Sequence, residues 1–200
     1  VVAIITILAG VSFVAVIKYQ SRLKRLEMDQ TAKELFLAAQ NRLSMETSQG
    51  TIDRLIAENA GEEKLGIKGS FNETGTGTGT GGDAKEVYYI LYAGNGNGES
   101  ADDPTSEIRD RLLPFGSIDE TVRTDGSYLI AYEAQTGAVR GVWYSDHYAF
   151  TKDDIGSTEL LEAASSADKR EHFQGAGIDA TSKGPAIGYY GGESKGTLSG

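Results

Sequence analysis

The first seventeen residues of the chain, VVAIITILAGVSFVAVI from Val1 to Ile17, carry no charge. A run of this length falls within the ~17–25 apolar residues that cross a bilayer as a helix. At about 1.5 Å per residue the run covers about 26 Å, slightly less than the ~30 Å hydrocarbon core. It has no A-x-A-like cleavage site after it, which favours a membrane helix over a signal-peptide core. Because no basic flank precedes the run, we expect a few further residues upstream of it.

A basic collar and an amphipathic pattern follow the apolar run. The collar carries positive charges at Lys18, Arg22, Lys24 and Arg25. Apolar residues then recur at three- and four-residue spacing, which marks one face of a helix: Leu23, Leu26, Ala32, Leu35, Phe36, Ala39 and Leu43. Between Val1 and Met45 there is no proline, and Gly10 is the only glycine. The pattern therefore predicts one continuous helix of about 45 residues, roughly 68 Å long.

We expect two parts in this chain. Residues 1–46 form the helix, whose segment 1–17 is the transmembrane or filament-core part. Residues 47–200 are enough for one modest globular head, and they include glycine-rich loops. The amphipathic half of the helix is expected to lie against this head, with the apolar half extending beyond it.

The head is expected to contain an antiparallel sheet. Three segments have the aromatic and β-branched composition of strands: Val87–Tyr92, Ser127–Glu133 and Ala138–Ser145. The last two form a hairpin in which Gly137 suits a left-handed turn position. One face of the sheet is expected to cover the helix stripe from Leu23 to Leu43, and GYYGG near the end to add an edge strand. Short helices are predicted at Ile52–Asn59, at Glu107–Leu113 and from Ser157 to about His172.

Two loops and the tyrosines are possible binding features of the head. Residues 72–82 read NETGTGTGTGG, a composition typical of a flexible surface loop. Residues 94–103 contain oxygen ligands of the kind that Ca²⁺ binds, but their spacing fits no EF-hand, which favours a solvated acidic loop: Asn95, Asn97, Glu99, Asp102 and Asp103. The ten tyrosines suit either an adhesive surface or half-buried strand positions with hydroxyls in water, and the second interpretation is favoured.

Composition argues against several classes of function. The chain has no cysteine, so disulfides and thiolate zinc sites are excluded. Outside the collar, 15 basic residues face 29 acidic ones, and a head this acidic repels a nucleic-acid backbone. Ser145, Asp146 and His147 have the letters of a catalytic triad, but consecutive strand residues point to opposite faces. We therefore expect no enzyme activity and no cofactor.

The sequence resembles a known family over most of its length. VVAIITILAGVSF is similar to the N-terminal helix of type IV pilins and pseudopilins, and TAKELFLAAQNRL resembles its continuation in pilin-like proteins of Gram-positive bacteria. The segments PFGSIDETVRTDGSYLIAYEAQTGAVRGVWYSD and AIGYYGG resemble their head domains. The resemblance implies an α+β, pilin-like fold: a long N-terminal helix on a small antiparallel sheet. It also implies cleavage by a prepilin peptidase.

The sequence departs from that family in three respects. It lacks the leader and the Phe-Thr-Leu-x-Glu start, so the glutamate that pairs with a neighbour's N-terminus has no counterpart here. Val14 stands about where a proline breaks the helix of Gram-negative pilins. The absence of cysteine also rules out the disulfide-closed C-terminal loop of many pilins.

The resemblance implies a structural subunit of an extracellular filament at the cell surface. The subunit would sit in the cytoplasmic membrane before assembly, and its partners would be copies of itself and the pilus assembly machinery. The residues expected in the filament core include small ones that allow close helix approach: Val1, Ala3, Ile4, Thr6, Ile7, Ala9, Gly10, Ser12, Phe13 and Val16. The collar either snorkels at the membrane interface or pairs with Glu27 and Asp29 of neighbouring helices.

Two alternatives stay open. An alternative of the same class, ranked after the filament subunit, is a pseudopilin of a type II secretion or DNA-uptake machine. A protein of another class, a single-pass surface protein whose head binds a ligand, would share the apolar run and the acidic head.

Overall fold

A computed structural model gives the structure of the protein. It describes residues 2–71, 85–93, 104–114, 118, 122 and 126–191, with side chains from Tyr19 onward except those of residues 85 and 86. The described part combines one long helix with a five-stranded antiparallel sheet. The α+β class expected from the sequence is confirmed.

The long helix α1 runs without interruption from Val2 to Ser48, 47 residues. Its continuity is as predicted, because the segment contains no proline and one glycine. The helix ends before Gly50, which takes the left-handed conformation at φ 69°. Such a residue closes a helix at little cost when it is glycine.

The sheet is a simple meander in which each strand pairs with the next one along the chain. The hairpin strands begin and end where the sequence predicts, and Gly137 between them has φ 66°. The edge strand predicted near the end is also present. The sequence did not predict the first strand, IKGSF, whose apolar residues stand only at its two ends. The five strands are β1 (Ile67–Phe71), β2 (Lys85–Ala93), β3 (Ser127–Glu133), β4 (Ala138–Ser145) and β5 (Gly188–Gly191).

Both faces of the sheet are buried, and alternate residues of each strand serve opposite faces. Towards α1 point Ile90, Tyr128, Ile130, Tyr132, Val142 and Tyr144. Towards the segment after β4 point Val87, Tyr89, Leu91, Leu129, Ala131 and Trp143. Phe150, Leu160 and Phe173 cover this second face. The sheet is therefore the middle layer between the long helix and the C-terminal part of the head.

The stripe of α1 that the sheet covers begins later than predicted. Five of the seven predicted positions, together with Met28, are buried in the core: Ala32, Leu35, Phe36, Ala39 and Leu43. The prediction was wrong for Leu23 and Leu26, which are 42% and 54% exposed. The cause is the phase of the helix: at about 100° per residue, Leu23 and Leu26 lie about 120° and about 180° around the helix from Leu35, so they point away from the sheet.

Short helices surround the sheet. The predicted helix from Ser157 to about His172 is instead two helices, because Ser166 has an extended backbone at φ −127° and its side chain caps the second helix. Ser157 caps the first one by accepting a hydrogen bond from Leu160 N. The short helices are α2 (Thr51–Ala57), α3 (Glu62–Leu65), α4 (Ser106–Leu112), α5 (Thr158–Ser165) and α6 (Ala167–Glu171). The predicted loops at 72–82 and 94–103 lie outside the described residues.

Candidate assembly surface on the long helix

Several polar contacts fix α1 to the head, among them a hydrogen bond from Arg42 Nε to the Arg111 carbonyl at 3.2 Å. The first of three others is made by Gln40. Its side-chain Nε2 donates to the Gly137 carbonyl at 2.9 Å, and its Oε1 accepts from the Val139 N–H at 2.8 Å. Both ends of one amide are therefore used on the backbone of the β3–β4 hairpin. This arrangement sets the position of the hairpin along the helix.

The second contact is an ion cluster around Asp29. The Asp29 Oδ1 accepts from the Tyr189 N–H of β5 at 2.8 Å and lies 3.4 Å from Arg170 Nε. Arg25 Nη1 lies 3.6 Å from Asp29 Oδ2, and Arg25 Nε lies 3.5 Å from Glu171 Oε1. The cluster joins α1, α6 and β5 at one point. It also occupies a backbone N–H at the edge of the sheet, where strands otherwise offer sites for further pairing.

Burial dominates the electrostatics of this cluster. It raises the pKa of Asp29, while the Tyr189 N–H, Arg170 and Arg25 act in the opposite direction. Burial likewise lowers the pKa of the Arg170 guanidinium, against the attraction of Asp29. The ion pairs therefore compensate only part of the desolvation of the Asp29 carboxylate.

The third contact joins α1 to the end of β4. Lys24 Nζ lies 3.7 Å from Asp146 Oδ2 and also contacts His147 Nε2. Ser145 Oγ accepts from the N–H groups of His147 and Tyr148 at 3.1 and 3.0 Å. Ser145, Asp146 and His147 therefore form a strand-end turn, as their sequence predicts.

The charged residues of the collar and its predicted acidic partners fall into two groups in the structure. Lys24, Arg25 and Asp29 have partners within the same chain, whereas Arg22 and Glu27 are exposed. Sequence reasoning missed these partners because Asp146, Arg170, Glu171 and Tyr189 lie more than a hundred residues away. The remaining predicted side chains, which belong to Lys18 and to the predicted core, lie outside those described: Val1, Ala3, Ile4, Thr6, Ile7, Ala9, Gly10, Ser12, Phe13 and Val16.

An apolar stripe runs along the face of α1 that points away from the head. Its members are Tyr19, Leu23, Leu26 and Leu37, with exposed fractions of 64%, 42%, 54% and 48%. Since successive helix residues turn by about 100°, these four lie within about 60° of one another, opposite the buried residues. We call them the outward stripe. Large apolar side chains in such an array are typical of an interaction surface.

The tyrosines are more deeply buried than the sequence indicates. Tyr89, Tyr128 and Tyr132 are almost wholly inaccessible. The Tyr89 hydroxyl donates to the Ser70 carbonyl at 3.0 Å, and the Tyr132 hydroxyl donates to the Leu65 carbonyl. Burial raises the pKa of both phenols. These tyrosines belong to the core and do not offer an adhesive surface.

Metal sites and membrane spans are two further kinds of site that the sequence raises. Among the described residues, no group of three or more histidine or carboxylate side chains is arranged to hold a metal ion. Among the residues whose side chains the structure describes, which begin at Tyr19, no helix has both the length and the apolar character to span a bilayer. The predicted span at residues 1–17 and the predicted calcium ligands lie outside the part that these statements cover.

Comparisons with known proteins give no match for this chain. No family model, no curated protein and no solved structure is significantly similar to it.

Proposed function

We propose that this chain is the structural subunit of a type IV pilus-like extracellular filament. The observation that carries the proposal is the relation between helix and head. The described contacts of α1 with the head begin at Lys24, although the helix starts at Val2. The helix thus continues for about 33 Å before those contacts, and its sequence there is apolar as far as Ile17.

Two features suit such a helix to a polymer. The apolar run would sit in the cytoplasmic membrane before assembly and would exchange lipid for neighbouring helices afterwards. Small residues in the run, such as Ala9, Gly10 and Ser12, allow the close backbone approach on which packing of apolar helices depends. The Gln40 and Asp29 contacts would make the head follow the helix as one body during extraction.

A charge in the apolar run tests the proposal. Gly10→Glu would place a carboxylate among packed helices, at a cost of roughly 2–3 kcal/mol or more in an apolar medium. We expect this variant to retain a folded head and to produce no filaments under the electron microscope. Gly10→Ala is the matched control, since it keeps the position small and uncharged, and it should assemble. Normal filaments from Gly10→Glu would refute the proposal.

A further inference from the structure

A cavity of about 350 Å³ lies in the C-terminal part of the head, which covers the face of the sheet opposite α1. Its walls are the turn that leads into α5, the first turn of α5 and the loop after α6. This volume is within the range of about 300–1,000 Å³ that is usual for small-molecule sites. The cavity is therefore large enough to admit a small ligand.

The loop that forms one wall is held in place by hydrogen bonds. The Ala176 N–H donates to the buried Asp154 carboxylate at 2.8 Å, and the Tyr148 hydroxyl donates to the same carboxylate at 2.9 Å. Further along the loop, Gln174 Nε2 donates to the Ser182 carbonyl at 2.9 Å. A wall fixed in this way is formed before a ligand arrives, which lowers the entropic cost of binding.

The cavity carries negative charge that the protein does not balance. Asp153 and Glu159 line it, both are exposed, and neither forms an ion pair with another described residue. Lys152, the neighbour of Asp153 in the sequence, and Lys169, which Glu159 attracts, are each paired with another glutamate, at 3.0 and 2.7 Å. Two unpaired carboxylates at one cavity attract a cation and repel an anion.

The polar atoms of the cavity favour a ligand that donates hydrogen bonds. Ser157 Oγ accepts from the Leu160 N–H at 3.1 Å, so the start of α5 keeps one fewer N–H group for an anion. Gln174 also lines the cavity, and its Oε1 is buried without a hydrogen-bond donor among the described residues. A buried acceptor without a partner is costly, and a ligand donor would satisfy it after a small rotation of the amide.

Apolar side chains complete the lining, and they belong to Ala176, Ile178 and Ala180. They suit the methylene groups of an alkyl stem, whereas the carboxylates suit its charged end. A divalent metal is the other class of cation, but no group of three or more histidine or carboxylate side chains in the described part of the chain is arranged to hold one. The lining therefore fits an organic ammonium ion better than a metal ion.

We propose that this cavity binds the ammonium group of an alkylamine, with Asp153 and Glu159 as its counter-ions and Gln174 Oε1 as a hydrogen-bond acceptor. The amine belongs either to a lysine side chain of another molecule or to a free small amine, because both present the same charged end and methylene stem. The site lies in the head, so it does not depend on whether the chain forms filaments.

Saturation-transfer difference NMR of the full-length chain in detergent tests the site with defined probes. Nα-acetyl-lysine N-methylamide presents the ammonium group without another charge, and its Nε-acetylated form is the matched neutral probe. We expect the charged probe to bind and the neutral probe to bind more weakly by about fivefold or more. Pentylamine separates the two sources within the proposal: binding as tight as that of the lysine probe indicates a free amine, and weaker binding indicates a lysine side chain.

Variants show whether the probe binds in this cavity. Asp153→Asn combined with Glu159→Gln removes both charges and should weaken binding of the lysine probe by about threefold or more, the range for two exposed ion pairs. Asp168→Asn removes an exposed carboxylate that does not line the cavity, and it should leave binding unchanged. Ala180→Phe keeps both charges but fills part of the cavity, so it should abolish binding. The fluorescence of buried Trp143, the only tryptophan, reports that the head of each variant is folded.

Other outcomes would overturn the proposal. Equal binding of the charged and neutral probes would show that the cavity does not select an ammonium group. Unchanged binding in the double variant or in Ala180→Phe would mean that the acidic surface as a whole attracts the amine. Displacement of the lysine probe by calcium ions at concentrations far below that of the probe would identify a metal site instead.

Discussion

Gln40 shows how single residues determine where the long helix lies on the head. Its amide satisfies one carbonyl and one N–H of the β3–β4 hairpin, at Gly137 and Val139. Gly188 acts by having no side chain, because a Cβ there would lie 2.1 Å from the carbonyl carbon of Met28. One residue supplies a polar contact and the other permits a close approach. Both are needed if β4 and β5 are to reach the helix.

Removal of the Gln40 amide should destabilise the head. Gln40→Ala would leave the Gly137 carbonyl and the Val139 N–H without their partner, and we expect the free energy of unfolding to fall by about 1–3 kcal/mol. Urea unfolding of the detergent-solubilised chain, followed by Trp143 fluorescence, measures this. Asn41→Ala is the control, since Asn41 is exposed on the same helix and should change little. Equal stability of the two variants would contradict the role given to Gln40.

Addition of one methyl group at Gly188 should also be costly. The Cβ of Gly188→Ala would overlap backbone atoms of Met28 and Asp29, so strand β5 must move away from α1. We expect a loss of about 1–3 kcal/mol in the free energy of unfolding, the range for overpacking. Gly61→Ala adds the same group where nothing lies within 4 Å, and it should be close to neutral. Thermal unfolding of both variants decides between these outcomes.

At the scale of elements, the sequence predicts the helices and strands that are determined by a local pattern of residues. The unbroken helix follows from the absence of proline, and the hairpin follows from two β-rich segments around Gly137. Strand β1 escaped prediction because IKGSF is short and polar at its centre, and it becomes a strand by pairing with β2. The helix break at Ser166 was not predicted, because the alanine-rich sequence favours a continuous helix. The Ser166 hydroxyl instead caps the start of a second helix, α6.

On the long helix, too, some positions are predicted by local sequence pattern and others are not. Helical periodicity placed the buried stripe correctly from Ala32 to Leu43, because it depends on residues within the helix. It failed at Leu23 and Leu26, because the six-residue step from Leu26 to Ala32 turns the helix by about 240° and places these leucines on another face. Helix phase therefore separates the outward stripe from the buried stripe, and the contacts with the head decide which of the two faces is covered.

The contact between α1, α6 and β5 should depend on pH in a defined direction. Burial raises the pKa of Asp29, so the folded protein holds the proton more tightly than the unfolded chain does. The contribution of Asp29 to stability is then largest below the unfolded carboxyl pKa of about 4 and declines as the pH rises through the raised value. Asp29→Asn abolishes this titration. We expect its cost in unfolding free energy to be larger at about pH 4 than at about pH 7.

Asp179 provides a control with the opposite sign. Hydrogen bonds from the backbone N–H and hydroxyl of Thr181 lower the pKa of Asp179. Its contribution is therefore present at neutral pH and lost as the pH falls through the lowered value. Asp179→Asn should cost less in acid than at neutral pH, and urea unfolding at several pH values measures both variants. A cost of Asp29→Asn that grows with rising pH would contradict the account of the cluster.

At the scale of the whole molecule, the two parts of α1 have different roles. Its later part carries the core of the head from Met28 to Leu43, and its first part has a sequence that suits lipid or other helices. Between the two lies a short segment with apolar residues facing outward and charges fixed to the head. In the proposed function the molecule would pass from membrane to polymer without change in its head, because the described contacts between α1 and the head begin at Lys24, beyond the apolar run.

Electron microscopy of filaments sheared from the source cells, with mass spectrometry of their subunits, tests the central claim most directly. We predict thin filaments whose main component is this chain, and helical reconstruction should place α1 at the centre with the heads outside. Filaments that lack this chain, or a chain found only as single copies in the membrane, would contradict the account.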